Sequence, residues 1–492
     1  MLDIVLVFVL VLLSVWWWST RRQTGLPPSP GIALPLIGHL HLMEPDPTRL
    51  FKEWRKRLGD VYTLMYGPHR VVMVNGYKAL HEALVKQHEV FMNRADSFLH
   101  TMLFNNRGVI SLADDEWKEQ RAFLQTTLKS LGMGRNVMAD NVATEIGFLL
   151  DAFRETRGQP TNFRMLLSAS VSNVISLVTF GRRFDYTDPE FLHMQALTVR
   201  AFELVPPSSP LHFFFRLIKY SPVDLFHYRE LQNYIQSMRS IFQKMINESN
   251  NAHDSGDDSK TCVIEYYIDE IKRKTEAGET MTSINSENLL YSAWNLFNAG
   301  TDTTSTTLLF AILYMTVYQD VQEKLYEEIK TIVGTEKLPD MSHKAQLKYV
   351  NAFILETQRF TSLIPLSLDR LTRNDTKLLG YSIPKGTVIL PVLDSVMWDD
   401  DVWGDPMTFR PERFLKNGVL TVKKEFLPFS IGRRSCLGES LAVTELYLFT
   451  TAFVQTFQFL PEDPSHPPSV VGRHGFTRVP EPFNVRAVPR QR

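Results

Sequence analysis

Apolar residues return at roughly 3.6-residue spacing along most of this chain. Runs of that kind cover residues 137–156, 229–248, 263–276, 286–316, 318–333, 347–360 and 439–457, and each predicts a helix. The stretch "DVYTLMYGPHRVVMVNG" (Asp60–Gly76) alternates instead and turns at Gly67-Pro68, which predicts a β-hairpin. Helical spacing resumes at once in "YKALHEALVKQ". A second strand-rich patch spans 377–394, with "IPKGT" as a turn. Residues 250–260, "NNAHDSGDDSK", are polar throughout and predict a surface loop. The pattern is that of a mainly α protein with a small β-sheet region.

The N-terminal stretch breaks the pattern. "MLDIVLVFVLVLLSVWWWSTRRQTG" is apolar from Ile4 to Trp18 and is followed by Arg21 and Arg22. With its flanking residues it reaches roughly 18 residues, enough to span a thin bilayer. Trp16, Trp17 and Trp18 suit the interfacial belt, and the arginines beyond them suit the cytosolic side. A cleaved signal peptide would carry its charge before the apolar run and a small-residue cleavage site after it; this stretch has neither. Residues 1–20 therefore read as an N-terminal transmembrane helix with a lumenal end. Pro27, Pro28, Pro30 and Pro35 stop that helix and stiffen residues 21–40 into a semi-rigid linker. No further linker, repeat or charge block interrupts the rest of the chain, so residues 41–492 read as one large domain.

Composition narrows the function. The 492 residues hold 53 Lys plus Arg against 54 Asp plus Glu, a net charge of −1, which excludes nucleic-acid binding driven by phosphate charge. The 2 cysteines, Cys262 and Cys436, cannot build a disulfide framework, and no CxxC pair suggests a zinc ribbon.

Cys436 stands in "FSIGRRSCLGES", residues 429–440, directly before the helix predicted at 439–457. A free cysteine is most often a small buried hydrophobe. Here Gly432 and Gly438 remove side chains on either side, which lets a flat ligand approach the backbone. Arg433, Arg434 and the helix N-terminus favour a thiolate. A thiolate can act as nucleophile or as metal ligand, and no family-type protease signature accompanies this one.

The spacing Phe429-x-x-Gly432-x-Arg434-x-Cys436-x-Gly438 resembles the haem-binding loop of the cytochrome P-450 superfamily. The resemblance runs over roughly residues 27–490 and rests on further motifs in the same order. "LPPSPG", "AGTDTT", "YSIPKGT" and "FRPERF" look most like the microsomal family-two branch. It implies the haem-thiolate fold and haem b (iron protoporphyrin IX), with Cys436 as proximal iron ligand. Thiolate donation pushes electron density through the iron and helps cleave the O–O bond.

Other motifs gain meaning from that likeness. In "FNAGTDTTST" (Phe297–Thr306), Ala299 and Gly300 are small, and the Thr303 hydroxyl reaches the Ala299 carbonyl four residues back, locally opening the helix. Asp302 is an ionisable group in an apolar run, a costly placement unless used. The stretch resembles the family's oxygen-binding groove, where Asp302 and Thr303 would relay protons as the catalytic pair. Glu356-x-x-Arg359 places two charges on one helix face, and with Arg413 of "FRPERF" it resembles the family's structural triad. Trp117-x-x-x-Arg121 stacks two side chains on one face. The resemblance assigns both to a haem propionate and Arg370 to another propionate contact. Many relatives carry Pro-His where this chain has Asp369-Arg370, and His where it has Trp398.

By the same likeness the substrate-facing positions are Phe98, Phe104, Asn298, Ala299, Ile364, Leu366 and Phe476. They are apolar with a single amide, which suits a lipophilic substrate: a xenobiotic, fatty acid, eicosanoid or steroid. The aromatic stretch 206–222 has two open readings, a membrane-dipping entrance or a buried inter-helix loop. The implied reaction is monooxygenation at the cytosolic face of the endoplasmic reticulum membrane. Electrons would come from an NADPH-dependent flavoprotein reductase, with cytochrome b5 as a second donor, because no flavin or nicotinamide fingerprint is present. Lys118, Lys129, Arg135, Lys423 and Lys424 would form a basic docking face, or an ordinary solvated surface. Two other readings stand beside this one: an O2-independent isomerase or dehydratase of a lipid peroxide, and a non-enzymatic haem sensor.

Overall fold

The computed structural model describes residues 25–490 apart from 45, 68, 135, 205–210, 254–259 and 280, together with residues 11 and 14. Arg135, residues 206–210 of the 206–222 stretch, most of the loop expected over 250–260 and, apart from residues 11 and 14, the transmembrane helix expected over residues 1–20 thus lie outside the described residues. Among the described residues no helix is long and apolar enough to cross a membrane.

In chain order the elements that position the site are α1 (Thr48–Leu58), β1 (Val61–Tyr66), β2 (His69–Val74), α2 (Asp114–Ser130), α3 (Asn136–Glu155), α4 (Arg164–Phe180) and α5 (Pro189–Leu204). Then come α6 (Tyr228–His253), α7 (Val263–Glu276), α8 (Ser286–Val317), α9 (Gln319–Ile332) and α10 (Lys348–Thr361). After them lie β3 (Arg370–Leu371), β4 (Thr376–Leu378), β5 (Tyr381–Ile383), β6 (Val388–Pro391), α11 (Glu439–Thr456) and β7 (Phe457–Pro461). The chain closes with β8 (Gly472–Arg473), β9 (Val479–Pro480) and β10 (Val485–Pro489). The mainly helical class and the predicted long helices are present.

The predicted hairpin is β1–β2, with Val61 opposite Val74. β6 adds parallel to β2 and β3 closes the sheet, in the order β1-β2-β6-β3. Its alternation feeds two cores. Val61, Val72 and Val74 pack with Leu80 and Phe91, while Tyr62, Leu64 and Val71 pack with Phe51 and Trp54 of α1. The larger core surrounds α8, where wholly buried Trp294 meets Phe104 edge-on at 5.5 Å.

Two expectations change. Residues 25–40 do not stand off as a spacer: Pro28 accepts from the Thr63 N–H at 2.7 Å, Gly25 from Ser382 at 2.7 Å, and Gly38 bridges to Tyr66. Helix α4, absent from the periodicity reading, is buried on nearly every side from Leu167 to Phe180. A helix without a polar face has no 3.6-residue contrast to read.

Candidate functional site

Helix α8 supplies the first wall. Asn285 caps it by accepting from the Asn288 N–H at 3.0 Å, and it then runs unbroken to Val317. From Asn288 to Thr316 it is buried except at Leu296, Ala299, Gly300 and Thr303. Leu296, Ala299 and Thr303 fall on one face at i, i+3 and i+7, so the accessible surface of this stretch is a single stripe. At Gly300 a Cβ would sit 3.0 Å from Ile175, so the missing side chain admits α4. Thr303 donates its hydroxyl to the Ala299 carbonyl at 2.7 Å as predicted, but the helix does not open there.

Asp302 points away from that stripe and is 6% exposed. Its Oδ2 accepts from the Thr477 hydroxyl at 2.9 Å. Burial pushes its carboxyl above the ordinary range, and Thr477 and Arg164 only partly draw it back. Thr477 was missed in the sequence because its partner is 175 positions away.

The second wall is the loop before α11. Gly432 has φ 82°, and a Cβ there would meet the Leu84 carbonyl oxygen at 2.0 Å. Its lack of a side chain therefore serves the backbone's own packing. Gly438, the N-cap of α11, has open space where its Cβ would be. The Cys436 N–H donates to the Phe429 carbonyl at 3.0 Å, which closes the loop and leaves Phe429 half-buried. The Cys436 side chain is exposed, yet protein packed around it pushes its thiol up, despite the backbone N–H groups of Gly438 and Glu439 and the charge of Arg121. Cys436 is thus exposed as a residue while protein crowds the space around its thiol. A metal ion bound to the sulfur would favour the thiolate further. Cys262, by contrast, is wholly buried at the start of α7 and pushed up to about 12.

Arginines gather beside this loop. Arg434 lies over the Trp117 ring at 4.2 Å and Arg121 over the same ring at 5.7 Å. Arg434 gives Nη2 to the Leu112 carbonyl at 2.6 Å, but its buried Nε has no partner. Burial, then Arg94 and Arg121, push its guanidinium down to about 7. Arginine does not shed its proton, so this cluster calls for an anion. Arg121 donates to the Ser435 carbonyl at 2.9 Å. Arg94 was not singled out in the sequence; it reaches the Asp369 carbonyl at 2.6 Å and is pushed down by burial to about 10. Arg370 is buried and spends Nη1 on the carbonyls of Leu368 at 2.6 Å and Asp369 at 3.0 Å. Where relatives carry Pro-His, Asp369 instead accepts from buried His100 at 3.0 Å. Burial raises Asp369, but His100 and Arg94 outweigh it and hold the carboxyl low.

The charged triad assembles fully. Arg359 donates Nε and Nη2 to Glu356 at 2.7 and 2.9 Å, and Arg413 donates Nε at 2.9 Å. Of the substrate-facing candidates, Ala299 is exposed, and Ile364, Leu366 and Phe476 are half-buried. Phe98 is buried against Phe215, and Phe104 against Trp294. Asn298 is also buried, its amide committed to the Tyr234 hydroxyl at 3.0 Å and to Thr198 at 3.5 Å. On the proximal surface Lys118 pairs with Asp115, Lys424 lies 3.9 Å from Glu425, and Lys423 donates to the Val402 carbonyl.

Comparison with known proteins agrees over nearly the whole chain. The family model described as "Cytochrome P450" matches residues 27–487. "Cytochrome P450 2A11" of Oryctolagus cuniculus is 34% identical over 488 residues, which is 98% of this chain and 97% of that protein. "Cytochrome P450 2J3" of Rattus norvegicus is 36% identical over 446 residues, 90% and 87% of the two chains. "Cytochrome P450 2U1" of Homo sapiens is 34% identical over 508 residues, 97% and 92%.

Proposed function

From the premise that this chain belongs to the cytochrome P450 family, and is a haem-thiolate monooxygenase binding iron protoporphyrin IX, we propose roles for its individual residues. Cys436 holds the iron through its sulfur. Arg434, Arg121 and Trp117, with Arg94 and Arg370 beside them, take the propionates; Phe429 and Gly438 shape the loop. When bound, the haem supplies the activation of O2 that puts one oxygen atom into substrate and the other into water. The observation that carries this assignment is exposed Cys436 two residues from an arginine whose buried Nε lacks a partner. The donor set suits a metal carrying two carboxylates.

The chain's own residues do the rest. Thr303, on the accessible stripe of α8, holds a hydroxyl at the reaction side while bonded to Ala299. Asp302 is the buried proton carrier behind it, and the two form the catalytic pair. Glu356, Arg359 and Arg413 hold the fold beneath the site. Ala299, Ile364, Leu366 and Phe476 present apolar surface, with Phe98, Phe104 and Asn298 as the layer packed around them. That lining supports a lipophilic substrate: a xenobiotic, fatty acid, eicosanoid or steroid.

Electrons come from an NADPH-dependent flavoprotein reductase, with cytochrome b5 as a second donor. The enzyme sits at the cytosolic face of the endoplasmic reticulum membrane. Exposed apolar side chains support contact with lipid: Ile32 and Leu36 are each 73% exposed, Leu217 69% and Tyr220 75%. The deciding experiment is the absorbance of the reduced, CO-treated protein. Wild type should give the thiolate-haem band and Cys436→Ser should lose it; a variant with the unchanged band removes the ligand assignment. A fatty-acid and steroid panel with reconstituted reductase then identifies the substrate class.

A further inference from the structure

Asp302 borders a narrow cleft lined largely by hydroxyl-bearing residues, Ser168, Thr198, Thr301, Ser305 and Thr306, with Arg164 among them. Its Oδ2 is taken by Thr477, itself 3% exposed, on the turn between β8 and β9. That turn is pinned by the next residue. The Arg478 N–H donates to the Leu363 carbonyl at 2.7 Å. Its Nη1 donates to the carbonyls of Thr361 and Ser362 at 2.7 and 2.8 Å, and its Nη2 to Asp394 at 2.8 Å. The guanidinium also lies 4.1 Å over the Trp398 ring. None of these partners belongs to α8, so the place of Thr477 is set independently of the carboxylate it meets.

We propose that Thr477 is a positioning residue for proton delivery: its hydroxyl, located by Arg478, fixes the Asp302 carboxylate with one oxygen engaged and the group facing that cleft. This rests on reading Asp302 as the proton carrier. A donor aimed at a carboxylate favours its charged form. Without Thr477, burial would go less opposed, with Arg164 of α4 the remaining charge acting on Asp302.

The test follows the carboxyl infrared band of Asp302 in the resting holoenzyme, assigned as the band missing from Asp302→Asn. Thr477→Val keeps the shape and removes the donor; Thr477→Ser restores it. The Val variant should raise the ionisation midpoint of Asp302 by about one pH unit. It should also cut product formed per NADPH several-fold on the best-turned-over member of the lipid panel. The Ser variant should return both readouts toward wild type, which a merely structural role would not require. Thr477→Ala gives the same readouts should the Val variant not accumulate with haem. An unmoved midpoint overturns the proposal, as does a moved midpoint with unchanged yield per NADPH. Should Asp302→Asn itself keep the wild-type yield, the proton-carrier reading falls first and this inference with it.

Discussion

Glu356 and Asp302 are both buried carboxylates, and the fold treats them in opposite ways. Glu356 is wholly buried and accepts from Arg359 twice, from Arg413 and from the Arg410 N–H. The arginines have further work: Arg359 also holds the carbonyls of Met397 and Pro406, and Arg413 those of Trp403, Asp405 and Thr408. This is a clamp that draws α10 and the 397–413 segment onto one charge. Asp302 has the neutral hydroxyl of Thr477 instead, and burial raises its carboxyl. A carboxylate surrounded by guanidinium groups is committed to structure; one met by hydroxyls keeps its proton chemistry. Glu445 of α11 falls on the second side: burial raises it well above the ordinary range, and the Thr304 hydroxyl is what draws it back.

Mutations should separate these two kinds of site. The largest effect belongs to Glu356→Ala, which strands two buried guanidinium groups and should cost about 3–5 kcal/mol. Haem-containing protein should fail to accumulate, and any that survives should show a lower urea midpoint. An unchanged midpoint would break the contrast.

Asp302→Asn should have a smaller effect, of opposite sign and dependent on pH. The folded-state value of Asp302 is raised, so the stability linked to its protonation is present below the ordinary carboxylate value and lost as pH rises through the raised one. Asparagine does not ionise. Melting curves of wild type and variant should therefore agree in acid and diverge as pH rises, with the variant the more stable. Curves that stay parallel across that range would mean that Asp302 is not strained by its charge.

The smallest effect is expected at Trp398. Trp398→His replaces an indole beneath Arg478 with the residue many relatives carry, and should cost about 0.5–2 kcal/mol. Calorimetry of the holoenzyme would show it as a modest fall in melting temperature. A fall as large as that of Glu356→Ala would move the C-terminal turn into the same class as the clamp.

The parts of the molecule legible from sequence are those whose information is local. The loop around Cys436, the Glu356–Arg359 pair and the Thr303-to-Ala299 bond all lie within a few helical turns, and the long amphipathic helices announce themselves by spacing. Long-range partners are silent in that reading. Thr477 meets Asp302, His100 meets Asp369 across 269 positions, and Arg478 meets Asp394 across 84. Trp398, unexplained as a departure from the family, gains its reason only when Arg478 is seen lying on it. Gly432 and Gly300 were legible as small but not as what they make room for. Their neighbours, Leu84 and Ile175, come from distant segments. Asn298 reads as a polar group aimed at substrate until Tyr234 takes its amide.

The bond between Thr477 and Asp302 also has a consequence in time. A ribosome adding 5–20 residues per second needs roughly 10–35 s to travel between the two codons. Throughout that interval the central helix exists without the hydroxyl that completes it. A nascent chain stalled or released short of that turn would already own Cys436 and its clamp, yet would lack the hydroxyl that meets Asp302.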